Sequence, residues 1–192
     1  RHIVLEILNR VEEQDAFAEP LLDAALSRAP LMNIHDRSLI THIVYGTLRM
    51  RGRLDWIIDQ LYKGDFLSMD VSIKNILRAG LYQLLFTDRI PDFAVVDEAV
   101  EIAKKTNPAG SGLVNAILRN AIRKRDRFAY PDIREDPAYH ISVLHSHPLW
   151  IVRKWIEKFG VEETTLLFKA NNEIPPVVLR VNTLKTNREK LI

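Results

Sequence analysis

Apolar residues recur every three or four positions along most of this chain, the spacing that gathers them on one face of an α-helix. In IVLEILNRVEEQ, Ile3, Val4, Ile7, Leu8 and Val11 share a face and charged residues take the other. AEPLLDAALSRAP reads as a second, short helix stopped at Pro30. NIHDRSLITHIVYGTLRMRGRLDWIIDQLYKG is predicted helical, with a break near Gly52 and an end at Gly64. Within it, Leu39, Ile43, Tyr45, Gly46 and Leu48 mark a crowded, largely buried segment. SMDVSIKNILRAGLYQLLFTDRIP is the most hydrophobic helix. Its Ile73, Ile76, Leu77, Leu81, Leu84 and Leu85 wrap more than half the circumference, which predicts the central helix, and Pro91 ends the turn after it. FAVVDEAVEIAKKT and SGLVNAILRNAIRKRDRF are two amphipathic helices on either side of NPAGSG. The second buries Leu113, Val114, Ile117, Leu118 and Ala121.

The periodicity then breaks. AYPDIREDPAYH has two prolines and mixed charge, and reads as a linker over residues 131–137 between a helical domain, 1–130, and a second unit, 138–192. The second unit opens with helical pieces near Tyr139–Leu144, in PLWIVRKWIEKFG with Pro148 at a first-turn position, and in VEETTLLFKANN. After the rigid turn predicted at Asn171, Asn172, Pro175 and Pro176, VVLRVN changes period from helical to alternating. Val177, Leu179 and Val181 then form a core face, and Val178, Arg180 and Asn182 the other. TNREKLI begins another helix, with Thr186 and Glu189 in capping-box spacing. A lone strand leaves its backbone donors and acceptors unmet. The expected fold is therefore mainly α, a helical bundle followed by the start of a small α+β subdomain. A chain that opens on Arg1 and stops inside that subdomain reads as a fragment.

Composition narrows the chemistry. The 192 residues are 47% hydrophobic and 27% charged, ordinary for a globular protein. There is no cysteine, which excludes disulfides, thiolate metal sites and a cysteine nucleophile. No apolar run reaches the ~18 residues of a membrane span, and the first ten are too charged for a signal peptide, so a bacterial-type cytoplasm is the expected location. A net charge of +2 and a pI near 8.9 are compatible with a nucleic-acid partner without requiring one.

Arginines are the candidate binding groups. Arg119, Arg123 and Arg127 recur at i+4 opposite a buried stripe, flanked by Lys124 and Arg125. Guanidinium groups along one face can engage successive phosphates, and the alternative is a solvated face packed against another domain. RMRGR places Arg49, Arg51 and Arg53 beside a helix break, where three cations could converge on one phosphate or form ion pairs between helices. His145 and His147, with His140 nearby, lack acids at familiar ligand spacing, and no metal is expected. Asp97, Glu98 and Glu101 read as a solvated helix face. Trp150 and Trp155 are expected in the core, with base stacking as their alternative.

Five blocks in order carry a family resemblance: YGTLR with LDWII, ILRAGLYQLLF, IPDFAVVDEAVEIAKK and GLVNAILRN. Together they resemble the NusB fold, an all-helical RNA-binding domain. Their spelling is closer to the NusB-like domain that fronts bacterial ribosomal RNA cytosine-C5 methyltransferases of the Sun/Fmu/RsmB family. HSHPLWIVRKWIEKFG and NNEIPPVVLRVNTLKT resemble the segment before that family's catalytic domain, where a small α+β subdomain helps hold RNA. The resemblance implies that Arg180 and Asn182 face RNA or the catalytic domain, and that Arg1 and Arg10 lie on a basic N-terminal edge. It implies small-subunit ribosomal RNA as partner, a catalytic domain in cis, and S-adenosylmethionine as cofactor of the full-length protein, with no cofactor in this fragment. C5 methylation uses a cysteine thiolate, and this chain has neither a cysteine nor a strand–Gly-rich-loop–helix unit, so these residues alone are expected not to catalyse it. Two other classes remain open: a NusB-type antitermination factor acting with a ribosomal protein, and a helical protein–protein adaptor.

Overall fold

The computed structural model describes residues 1–192 except 89, 126, 177 and 192. Its helices are α1 (His2–Gln14), α2 (Ala18–Ser27), α3 (Ile34–Arg49), α4 (Arg51–Leu61), α5 (Val71–Phe86), α6 (Asp92–Thr106), α7 (Ser111–Arg123), α8 (Pro137–His145), α9 (Leu149–Asn171) and α10 (Arg188–Leu191), with a 3₁₀ turn over Pro108–Gly110.

The bundle is built around α5. Asp70 caps it by accepting from the Ile73 N–H at 3.1 Å. From Ile73 to Leu84 its residues are buried, Ala79 excepted, and the burial includes the polar Lys74, Asn75, Arg78 and Gln83. Helices α1, α3, α4, α6 and α7 surround it. The apolar stripes of α1 (Val4, Ile7, Leu8), α4 (Leu54, Ile57, Ile58) and α7 (Val114, Ile117, Leu118, Ala121) all enter one core. Close approach of α3 to α5 depends on Gly46: a Cβ there would sit 1.9 Å from Tyr82 Cζ. Tyr82 stacks on Phe86 and its hydroxyl meets His42 Nε2 at 3.1 Å.

Arg78 is 3% exposed and carries its charge into this core. Its Nε and Nη2 donate to the two oxygens of Asp55 at 2.5 and 2.9 Å, and Nη1 donates to Glu12 and, at 2.9 Å, to Asn75. Those partners more than offset the burial, so its pKa is raised despite desolvation, the largest single influence.

Beyond α7 the chain is strapped to α4. Trp56 Nε1 donates to the Ala129 carbonyl at 2.9 Å, Gln60 Oε1 accepts from the Ala129 N–H, and Arg53 Nε donates to the Tyr130 hydroxyl. Asp136 then caps α8, and Gly52 N–H donates to Ser146 Oγ at 2.7 Å where the chain turns into α9. The second unit has a small core of its own: Ile141, Val152 and Phe168. Phe168 lies between His147 and Trp155, with ring centroids 4.1 and 4.8 Å away. Gly160, at φ 79° and ψ 171°, kinks α9 between the two helical pieces that the sequence separates.

Three expectations change. The helix break falls at Met50, which closes α3 and opens α4, rather than near Gly52. The strand over 177–182 does not form among the described residues, and Val177 lies outside them. Val178 and Leu179, on opposite faces of the expected strand, are 83% and 72% exposed. Sheet hydrogen bonding needs a neighbouring strand, and the described residues supply none. Finally, the Lys190 N–H bonds to Asn187 Oδ1 at 3.0 Å, so Asn187 rather than Thr186 caps α10.

Candidate nucleic-acid interface

The expected arginines fall into three groups with different fates. At the α3–α4 junction, Arg49, Arg51 and Arg53 do not converge. Arg51 turns to the α1 side, pairing with Glu12 at 3.2 Å and Asp55 at 3.9 Å. Arg49 donates to the Asn172 carbonyl at 3.3 Å, and Arg53, beside Tyr130, lies 5.3 Å over the Phe86 ring. Arg51 and Arg53 both follow the break, on different sides of α4, and Arg53 lines one hollow with Arg49 of α3.

On α7, Arg119 and Arg123 are exposed and bond only to their own helix, to Asn115 Oδ1 at 2.8 Å and Asn120 Oδ1 at 3.4 Å. The helix ends at Arg123, so the expected stripe is two arginines long. Lys124 is its C-cap, and Arg127 lies past it, also exposed, with its N–H on the Lys124 carbonyl. Arg125 does not join them. It donates to the Leu84 carbonyl at 2.6 Å and pairs with Asp92 at 2.7 Å, tying the end of α7 to α5 and α6. Arg180 and Asn182 are exposed, and the Asn182 side chain accepts from the Leu184 N–H at 3.1 Å, starting a turn. At the N-terminus, Arg1 pairs with Glu98, and Arg10 bonds Gln14.

The histidines are structural. His140 Nδ1–H donates to the Pro131 carbonyl at 2.6 Å and His147 Nδ1–H to the His145 carbonyl at 2.7 Å. Burial, first, holds both His145 and His147 below the usual imidazole range. Among the described residues no group of three or more His, Asp or Glu is placed to hold a metal. Trp155 enters the small core as expected, whereas Trp150 is 68% exposed.

A second surface escapes the arginine motifs. His35, His42 and Arg49 stand seven residues apart on one side of α3, above Phe86 of α5, and Lys169 near the end of α9 faces them. Lys169 belongs to no cluster in the sequence, because its neighbours come from the other unit. The spacing of the α3 residues is legible in the sequence. The charges nearby leave a trace: Arg53, His140 and Lys169, after burial and His147, each press the His145 pKa down. Burial pushes the Tyr82 phenol up, and the Arg49 charge pulls the other way.

Two family models match different stretches of this chain. A model described as the NusB family matches residues 1–123, and one described as "Methyltr_RsmF/B-like, ferredoxin-like domain" matches 147–192. A probable ribosomal RNA small subunit methyltransferase B from Bacillus subtilis is 32% identical over 100% of this chain, which spans 42% of that protein. A ribosomal RNA small subunit methyltransferase B from Pseudomonas putida is 36% identical over 80% of the chain and 34% of its own length. Among solved structures, T. maritima NusB is 28% identical with a TM-score of 0.57, covering 64% of this chain and 87% of that one. The protein PH0851 shares the fold over 98% of this chain and 42% of its own, with a TM-score of 0.68 at 20% identity. The bundle around α5, with the family match along it, makes this chain a member of the NusB family, in the form that runs on into an RsmF/B-type segment.

Proposed function

We propose that this chain is the RNA-binding, substrate-recognition region of an S-adenosylmethionine-dependent ribosomal RNA cytosine-C5 methyltransferase acting in the cytoplasm. One observation carries the reading: a NusB match and an RsmF/B ferredoxin-like match follow one another in a single chain, and methyltransferase relatives align along both. The domains are 1–130, a linker at 131–137, and 138–192 as the opening of the α+β RNA-binding subdomain. Exposed Leu179, on the expected core face, supports that last assignment, since the core of that subdomain would cover it. The cofactor, the catalytic thiolate and the reaction belong to a catalytic domain in cis. The RNA is small-subunit ribosomal RNA, held by its phosphates on Arg119, Arg123, Lys124 and Arg127 and on the face of Arg180 and Asn182.

The test is titration of small-subunit ribosomal RNA fragments against this chain from low to physiological salt. Affinity is expected to fall steeply with salt, because cations on phosphates release counterions. Arg119→Glu with Arg123→Glu is expected to weaken binding about tenfold without changing the melting temperature. Unchanged affinity at low salt removes α7 from the interface.

A further inference from the structure

Three features outside the α7 surface were candidates for a site: the buried Arg78 network, the acidic hollow beside Trp56, and the surface shared by α3 and the end of α9. In the first, every charge is already satisfied. The second is lined by Asp55, Asp59 and Asp65 and repels an anion. The third has cations with no ion-pair partner among the described residues.

Two adjoining hollows share His42, Phe86 and Ile174 and so form one trough along α3. From His35 to Arg49 it follows the helix for about 21 Å, fourteen residues at 1.5 Å each. Its floor is apolar, with Phe86 stacked on Tyr82. Its far wall belongs to the second unit: Lys169, Asn172 and the exposed Ile174. At the inner end stand Arg49, Arg53 and Lys169. Among the described residues none of the three has a carboxylate within ion-pair distance, whereas Arg1, Arg51, Arg78 and Arg125 all do. Arg49 and Arg53 spend one nitrogen each on the Asn172 carbonyl and the Tyr130 hydroxyl, which fixes them in place and leaves other N–H donors open. Asp88, at the His35 end, is the carboxylate that lines the trough among the described residues.

Two arginines held by hydrogen bonds and a lysine, around an opening free of acid, form an anion cradle, and an aromatic floor beside it suits the flat face of a base. A duplex hides its base faces in the stack, so only an unpaired strand can use both features. We infer that this trough binds a single RNA strand at the seam of the two units, with a phosphodiester held by Arg49, Arg53 and Lys169 and a neighbouring base against Phe86. The inference deepens the RNA-binding reading above and rests on it. It makes the relative placement of the two units part of the site, because α9 supplies one of its cations.

The experiment is fluorescence anisotropy of a labelled oligouridylate, and of the same length of RNA duplex, against the full 192-residue chain. The variants are Arg49→Ala with Lys169→Ala, Phe86→Leu, and the control Lys104→Ala with Lys105→Ala on exposed α6. Circular dichroism melting checks that each folds. The trough variant is expected to lose about tenfold in single-strand affinity and to lower the slope of log affinity against log salt by about 0.7, the value for one phosphate contact on a single strand. Phe86→Leu is expected to lose about fivefold for the single strand and little for the duplex, while the control stays unchanged. Keeping the charge, as in Arg49→Lys in an otherwise native chain, is expected to keep the salt slope. Single-strand binding that survives Arg49→Ala with Lys169→Ala at full slope overturns the trough and leaves RNA binding standing. Equal losses for single strand and duplex overturn the choice of an unpaired strand. Absence of any salt-dependent RNA binding by the native chain overturns both readings together.

Discussion

The two units solve the problem of stability differently. Around α5, six helices bury a continuous apolar core and can enclose a buried arginine whose three polar partners come from α1, α4 and α5 itself. The unit of α8 and α9 buries three apolar residues fully, Ile141, Val152 and Phe168, and leaves Trp150, Phe159 and Leu166 exposed on α9. A core that small cannot easily outweigh the entropy of ordering its own helices. The second unit therefore leans on the first, through the strap on α4 and the Gly52–Ser146 hydrogen bond. The more weakly held unit is also the one that completes the trough.

The contrast can be broken most directly at Phe168. Phe168→Ala is expected to cost about 3–5 kcal/mol at that site, with the loss confined to α8 and α9. Hydrogen exchange should then quicken across 137–171 while α5 stays protected, and equal loss of protection in α5 would make the two units one cooperative body. Gly160→Ala has open space around it but forces alanine into a glycine-only backbone region, at about 1–3 kcal/mol. It should raise limited proteolysis near the kink, again without lowering the stability of the bundle. The smallest effect is acid. Burial lowers the pKa of His145 and His147, so the unfolded chain takes up protons first as pH falls. Their contribution is complete above the ordinary imidazole pKa of about 6.5 and is lost below it. Exchange in α8 and α9 should therefore quicken as pH falls below about 6.5, and replacing His147 by Gln should flatten that dependence.

The sequence carries most of the bundle because its helices are stabilised by their own periodic faces. The stripes of α1, α5 and α7, and the two-piece character of α9 at Gly160, follow from spacing alone. What stays hidden depends on distant partners. Arg78 lies next to buried leucines in sequence, yet Glu12 and Asp55, which make its burial tolerable, are 66 and 23 positions away. The same holds for the arginines at the α3–α4 junction. RMRGR reads as one cluster, but the face of its helix that each residue occupies decides whether it meets Glu12, Tyr130 or the second unit. Trp150 and Trp155 look alike as aromatic helix residues, and only the position of Phe168 tells them apart. The expected strand fails for a related reason, since its partner must come from elsewhere. At the candidate site, the seven-residue spacing of His35, His42 and Arg49 is visible in the sequence, whereas the approach of Lys169 is a product of the fold.

The strap on α4 also bears on how this gene can be divided. A reading frame closed after residue 123, where the NusB match stops, removes Ala129 and Tyr130. It leaves the Trp56 indole N–H, the Arg53 guanidinium and the Gln60 amide oxygen without the groups they bond, and uncovers apolar surface that Phe128 packs against. A frame closed after Pro131 retains all of these. Residues 124–131 thus separate a fragment with a finished surface from one with a raw edge.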